Sequence, residues 1–259
     1  MKTKKHVFWF LSLILFSFVS CTKDTDEQVK FLKTIDRTLD GGSKVTTSFS
    51  YQGSQISTIE NSDSLKEFTY TMGLITAITT TNKASAIQTV VGYTYEGGKL
   101  KTVLSPNNYV VRYAHNADGT VTFEKFDISV ANTETKIHHG ILTFDKENLV
   151  KEEQTLDNQP SGVVTKYVVN YEYDEKTNPY SAITGYNKLL DQGGEISSNN
   201  YLVKTVENTI ESNGQVISSA TFYSNSFKYD ESNYPKEKNS FVTIADKGLT
   251  VSEKIVYIY

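Results

Sequence analysis

Arginine is nearly missing from this chain. Of 259 residues, only Arg37 and Arg112 carry a guanidinium, and the formal charge is −4. Binding to nucleic acid needs clustered Lys and Arg against phosphate, so an acidic, arginine-poor chain is expected to bind none. The only tryptophan is Trp9 and the only cysteine is Cys21. The longest apolar run, Val7 to Val19, is broken by Ser12 and Ser17. It is shorter than the ~20 residues that a membrane-spanning helix needs. No Pro/Ser-rich linker interrupts the remainder, which therefore reads as one unit. No long segment carries helical periodicity, although a short helical turn fits near Asn187 to Leu190. The motifs of the common hydrolases and nucleotide binders, Gly-x-Ser-x-Gly, His-Glu-x-x-His and a phosphate-cradling glycine loop, are all missing.

What the N-terminus does contain is specific. Lys2, Lys4 and Lys5 precede the apolar run, and Ser20 stands before Cys21. The order of charge, apolar core, small residue and cysteine resembles a bacterial lipoprotein signal. That resemblance implies cleavage after residue 20 and acylation of Cys21. Each buried acyl CH₂ contributes about 0.8 kcal/mol, so a multiply acylated cysteine anchors a protein to a bilayer. Loss of the three lysines takes the formal charge from −4 to −7. The acidic cluster Asp24, Asp26 and Glu27 follows. It is similar to the surface-export signal of Bacteroidota lipoproteins, which implies an outer-membrane anchor and display at the cell surface; otherwise it is a solvated tether. The expected organisation is a signal at 1–20, an acidic tether at 21–28, and a single β domain at 29–259.

That domain is built from a repeat. Phe49-x-Tyr51 is followed by Ile56 and Ile59, Phe68-x-Tyr70 by Ile75 and Ile78, and Tyr93-x-Tyr95 by Leu100 and Val103. Between the aromatic pair and the first aliphatic lies a turn with glycine at a central position: Gly53, Gly73, and Gly97-Gly98. Tight hairpin turns need positive φ there. A two-residue turn sets Tyr51 opposite Ile56, Tyr70 opposite Ile75 and Tyr95 opposite Leu100. Such cross-strand pairs contribute roughly 0.2–1 kcal/mol each. Strict alternation would send Ile59, Ile78 and Val103 to the polar face. Either a bulge returns them to the apolar side or the second face is locally covered.

Later units are looser. Val111-x-Tyr113 precedes Val121 and Phe123, and Leu142-x-Phe144-Asp145 precedes Leu149. Tyr171-x-Tyr173-Asp174 leads to Tyr180 and Ile183, and Phe227-x-Tyr229-Asp230 to Tyr234 and Pro235; Tyr257-x-Tyr259 ends the chain. With turn signals at Asp40 to Ser43, Gln192 to Gly194 and Ser212 to Gly214, the pattern predicts an all-β antiparallel meander of a dozen or more strands. It would curl into a barrel or flatten into a sandwich. A barrel this wide would hold a cavity or a plug. The aromatic C-terminus raises an outer-membrane barrel, but the strands carry too much Ser, Thr, Lys and Glu for a lipid-facing band.

The pairs Tyr173-Asp174 and Tyr229-Asp230 resemble the tyrosine-aspartate (Rhs-type) repeats of bacterial secreted proteins. The run Tyr171 to Tyr180, continuing to Gly185-Tyr186-Asn187-Lys188-Leu189-Leu190, is similar to uncharacterised Bacteroidota lipoproteins with a porin-like β fold. The resemblance implies an architecture and an envelope location, and no activity.

Candidate chemistry is sparse. His138 and His139 are strand neighbours and point to opposite faces, so no shared metal is expected. His115 reads as a solvated turn residue beside Asn116 and Asp118. Glu152-Glu153 and Asp174-Glu175 read as solvated charge. Tyr51, Tyr70 and Tyr95 recur at fixed positions, as core packing requires. Ligand contacts are expected around Tyr180 to Asn200, where the repeat loosens. The expected function is non-catalytic, without cofactor: a binding or scaffolding module for a glycan or an envelope protein. The alternatives are a polysaccharide hydrolase and a structural part of an outer-membrane assembly.

Overall fold

A computed structural model describes residues 29–244 and 249–259. Cys21 and the acidic cluster lie outside the described residues. Sixteen antiparallel strands form a meander that closes into a barrel. In chain order they are β1 (Thr34–Leu39), β2 (Lys44–Gln52), β3 (Gln55–Glu60), β4 (Ser64–Thr71), β5 (Leu74–Asn82), β6 (Gln88–Glu96), β7 (Lys99–Ser105) and β8 (Tyr109–His115). There follow β9 (Val121–Ile128), β10 (Glu134–Asp145), β11 (Asn148–Leu156), β12 (Val163–Thr177), β13 (Asn199–Ser212), β14 (Gln215–Tyr229), β15 (Pro235–Ile244) and β16 (Leu249–Ile258). The barrel closes where Ile35 of β1 pairs with Tyr257 of β16.

The early repeat folds as its spacing predicts. Tyr51 pairs with Ile56, Tyr70 with Ile75 and Tyr95 with Leu100. The register then shifts between Ser50 and Tyr51, between Thr69 and Tyr70, and between Thr94 and Tyr95. Each shift is a bulge that places one extra residue on the return strand. It brings Ile59, Ile78 and Val103 back to the inner face, where they join Phe49, Ile56, Ile75, Tyr93 and Leu100 in the core. Met72-Gly73 and Gly97-Gly98 have positive φ at both central turn positions, as hairpin turns of the I′ type require.

The core lies on the inner face, and the outer wall mixes polar and paired charged residues with exposed apolar ones such as Val90, Phe222 and Phe241. On β2, Phe49 and Tyr51 face the core while Lys44, Thr46, Ser48, Ser50 and Gln52 are exposed. Ion pairs lie across the outer wall, for example Lys228 and Lys254 on either side of Glu237, each at 2.7 Å.

The two ends of the barrel differ. The hairpin turns at Gly53, Gly73 and Gly97 lie at the end where residues 29–33 enter. There Lys30 pairs with Asp230 at 2.6 Å and the Lys33 amide donates to the Ile258 carbonyl. The same end is closed by the segment between β12 and β13. The sequence places a returning strand at Tyr180 to Ile183, but the chain instead turns into the barrel. It forms two short 3₁₀ turns, Tyr186–Lys188 and Leu190–Ile196, and β13 starts only at Asn199. Gln192 to Gly194 therefore belongs to this plug and not to a turn between strands. Tyr186, Leu189, Ile183 and Ile196 are buried against the inward residues of the strands. A sixteen-stranded barrel is too wide for its own side chains to fill; the plug supplies the missing apolar volume. Gly185, at φ 76°, sits so close to the β4–β5 turn that an added Cβ would meet the Gly73 carbonyl at 2.9 Å.

Candidate functional site

Between the plug and the opposite end the barrel keeps a cavity of about 540 Å³. Its walls come from β1 to β4 and β13 to β16, and the plug forms its floor. Asn61 and Ser64 at the β3–β4 turn bring it to the end opposite residue 29, which is therefore the mouth. Phe49, Tyr180, Tyr186, Tyr201, Phe227 and Tyr257 supply aromatic surface. Tyr180 and Tyr186 are stacked, with centroids 5.1 Å apart and planes at 13°. The neck of the plug is fixed by Asn178, whose amide donates to the carbonyls of Glu195 at 3.1 Å and Ser197 at 2.9 Å. Its side-chain oxygen accepts from the Tyr180 amide at 2.9 Å. A buried side chain with these bonds satisfied holds one geometry.

The cavity is also charged. Arg37 pairs with Glu253 at 2.5 Å. Glu195 accepts from the Tyr186 hydroxyl at 3.3 Å. Lys66 and Lys238 line the same space. Burial holds the Lys238 amine below the ordinary lysine range, opposed by the negative charges of Glu253 and Glu195. Beside the cavity, burial raises the Asp191 carboxyl above the ordinary range, against a bond from the Tyr93 hydroxyl at 3.1 Å.

The residues singled out in the sequence fall as follows. The stretch Tyr180 to Asn200 is the plug and part of the cavity wall. Tyr51, Tyr70 and Tyr95 pack against the core near the plugged end. His138 faces inward, edge-on to Phe123, while His139 faces out and meets Asp157 at 2.9 Å. His115 requires a correction. It is not a solvated turn residue: it ends β8 at half-buried depth, with Nε2 2.9 Å from the Leu100 carbonyl. In the repeat it stands where earlier units carry tyrosine. Glu152 faces the lumen and Glu153 the outer wall, since their partners Val169 and Val168 alternate. Asp174 is held by the amides of Lys176 and Asn200 and by the Tyr229 hydroxyl. The sequence reading missed Arg37, Lys66, Lys238 and Glu253. Each alternates with polar outer residues, and only barrel closure brings their strands together.

No family model matches the chain, and no curated protein matches it. Among solved structures, it is similar to a porin-like protein from Bacteroides vulgatus ATCC 8482. That likeness has a TM-score of 0.52 and 12% identity, over 89% of this chain and 99% of the other. A porin-like protein from Bacteroides uniformis ATCC 8492 aligns with a TM-score of 0.33 and 11% identity, over 88% of this chain and 96% of the other. The first likeness speaks to the fold: a porin-like antiparallel β-barrel.

Proposed function

We propose that the protein is a non-catalytic saccharide-binding lipoprotein of the outer membrane, acylated at Cys21 and displayed at the cell surface. The observation that carries the binding reading is the cavity: stacked aromatic rings beside fixed polar groups, in a space of about 540 Å³ that reaches the mouth. Pockets for small ligands commonly have about 300–1,000 Å³ and this mix of surfaces. Aromatic faces stack on sugar rings while tyrosine hydroxyls hydrogen-bond.

The ion pairs along the outer wall support a barrel held beside the bilayer. Strands β1 and β3 have six residues each, where a membrane-spanning strand needs about 9–11. Residue 29 enters at the plugged end, so an anchor preceding it leaves the mouth pointing away from the lipid.

The purified protein, titrated calorimetrically with neutral and acidic oligosaccharides, is expected to bind a subset and to release no reducing ends from the parent polysaccharides. Release of reducing ends replaces this reading with that of a hydrolase. Protease treatment of intact cells is expected to degrade the barrel. Protection until the cells are permeabilised places it in the periplasm and turns the search to envelope partners.

A further inference from the structure

Many of the outer-wall lysines are paired, though Lys99 and Lys166 have no carboxylate within 4.0 Å among the described residues. On the outer wall Lys44, Lys136, Lys151, Lys228 and Lys254 each lie within 4.0 Å of a carboxylate oxygen. Lys66, Lys125, Lys204 and Lys238 face the lumen, because they pair with or stand beside the inward residues Ile59, Val111, Tyr171 and Phe227. None of these four has a carboxylate partner among the described residues. Three of them lie over rings instead: Lys125 at 4.4 Å from Tyr109, Lys204 at 5.0 Å from Tyr223, and Lys238 at 5.9 Å from Tyr201.

The acids near the cavity and the plug have partners of their own. Glu253 is held by Arg37, Glu195 by Tyr186, Asp191 by Tyr93, and Glu152 accepts from the Gln154 amide at 2.6 Å. An unpaired ammonium in a desolvated wall is costly. Evolutionary cost of that kind is commonly kept where function uses it. Within the cavity that cost falls on half-buried Lys238; Lys66 lines the same space with its side chain exposed.

We infer that the cavity takes an acidic saccharide, and that Lys66 and Lys238 bind its carboxylate or sulfate while the tyrosines stack on its rings. This rests on the saccharide reading above and adds the ligand's charge. Lys238 also serves as a specificity determinant: a neutral sugar would leave its ammonium without an anion.

The test uses the full-length, membrane-extracted protein and two probes of matched size, trigalacturonate and galactotriose, measured by titration calorimetry with thermal denaturation alongside. The acidic probe is expected to bind at least tenfold more tightly than the neutral one. Lys66→Gln and Lys238→Met are each expected to weaken the acidic probe at least tenfold, while the outer-wall variant Lys228→Gln leaves it unchanged. Lys238→Met is further expected to raise the melting temperature, since it removes a half-buried charge without a carboxylate partner; a lysine kept for structure would lower it. Equal binding of both probes overturns the acidic assignment and leaves the saccharide reading standing. Binding of neither overturns both. Lys66 is solvent-exposed and its replacement leaves the core untouched, so an unchanged affinity in Lys66→Gln overturns its role even where Lys238→Met fails to fold.

Discussion

At the scale of single residues, the recurring tyrosine has a cause beyond packing. At the plugged end, backbone pairing between successive hairpins stops: β3 and β4 pair only from Thr58 to Glu60, and β7 with β8 only from Thr102 to Ser105. There side chains complete the ladder. The Tyr70 hydroxyl accepts from the Ile56 amide at 3.1 Å, and Tyr95 and Tyr173 donate to the Ile75 and Leu149 carbonyls at 2.7 Å. The Tyr51 hydroxyl, which follows β1 and no hairpin, is buried without a partner among the described residues. Tyr95→Phe should therefore cost about 1 kcal/mol in denaturant unfolding, and Tyr51→Phe should be neutral or stabilising. Gly140 is a second test. A Cβ there would meet the Glu153 carbonyl at 2.1 Å and the Phe123 ring at 2.6 Å. Gly140→Ala should distort β10 and lower stability by several times the ordinary cost of a surface change, about 0.5 kcal/mol. The tyrosines also set the alkaline limit. Burial pushes Tyr70 and Tyr173 up to about 12 from the ordinary 10.0. Above pH ~10 the unfolded chain loses these protons and the folded chain keeps them, so stability falls as pH rises from there through about 12. Tyrosinate absorbance followed with unfolding should show the phenols titrating together with the loss of structure.

At the scale of elements, the hairpins were legible and the plug only in part: the short helical turn expected near Asn187 to Leu190 is there, but not the inward path of the chain that leads to it. Identical spacing, central glycines and aromatic–aliphatic pairs are local features, and local geometry converts them directly into register. The three bulges could be posed as an alternative, because Ile59, Ile78 and Val103 fit no strict alternation. That inward path has no such signature. Tyr180 and Ile183 imitate the aliphatic return of a hairpin, and what diverts them is long-range: the volume of a lumen whose width depends on all sixteen strands. The same dependence hid Arg37, Lys66, Lys238 and Glu253, which are far apart in the chain. Asn178 is the hinge of the plug. Asn178→Ala removes three hydrogen bonds of a buried side chain and should cost about 2–3 kcal/mol. Limited proteolysis should then cut within the plug before the strands.

At the scale of the whole molecule, the inner face carries the apolar core beside a charged cavity, and ion pairs lie along the outer wall. The proposed anchor at Cys21 can be tested directly. Cys21→Ala should abolish acyl labelling and move the protein from the membrane fraction to the soluble one. Retention in the membrane with no label would mean that the strands themselves contact lipid. The seam between β1 and β16 carries a different consequence. β1 is paired on one side with β16, the described strand farthest from it along the chain, so its outer edge stays open until β16 has folded against it. Each earlier hairpin can form alone, yet none can be enclosed. Closure over so long a loop is slow, and the growing sheet exposes its apolar face throughout. Joining the old termini while opening the chain at an exposed turn should reorder its assembly without altering the finished barrel.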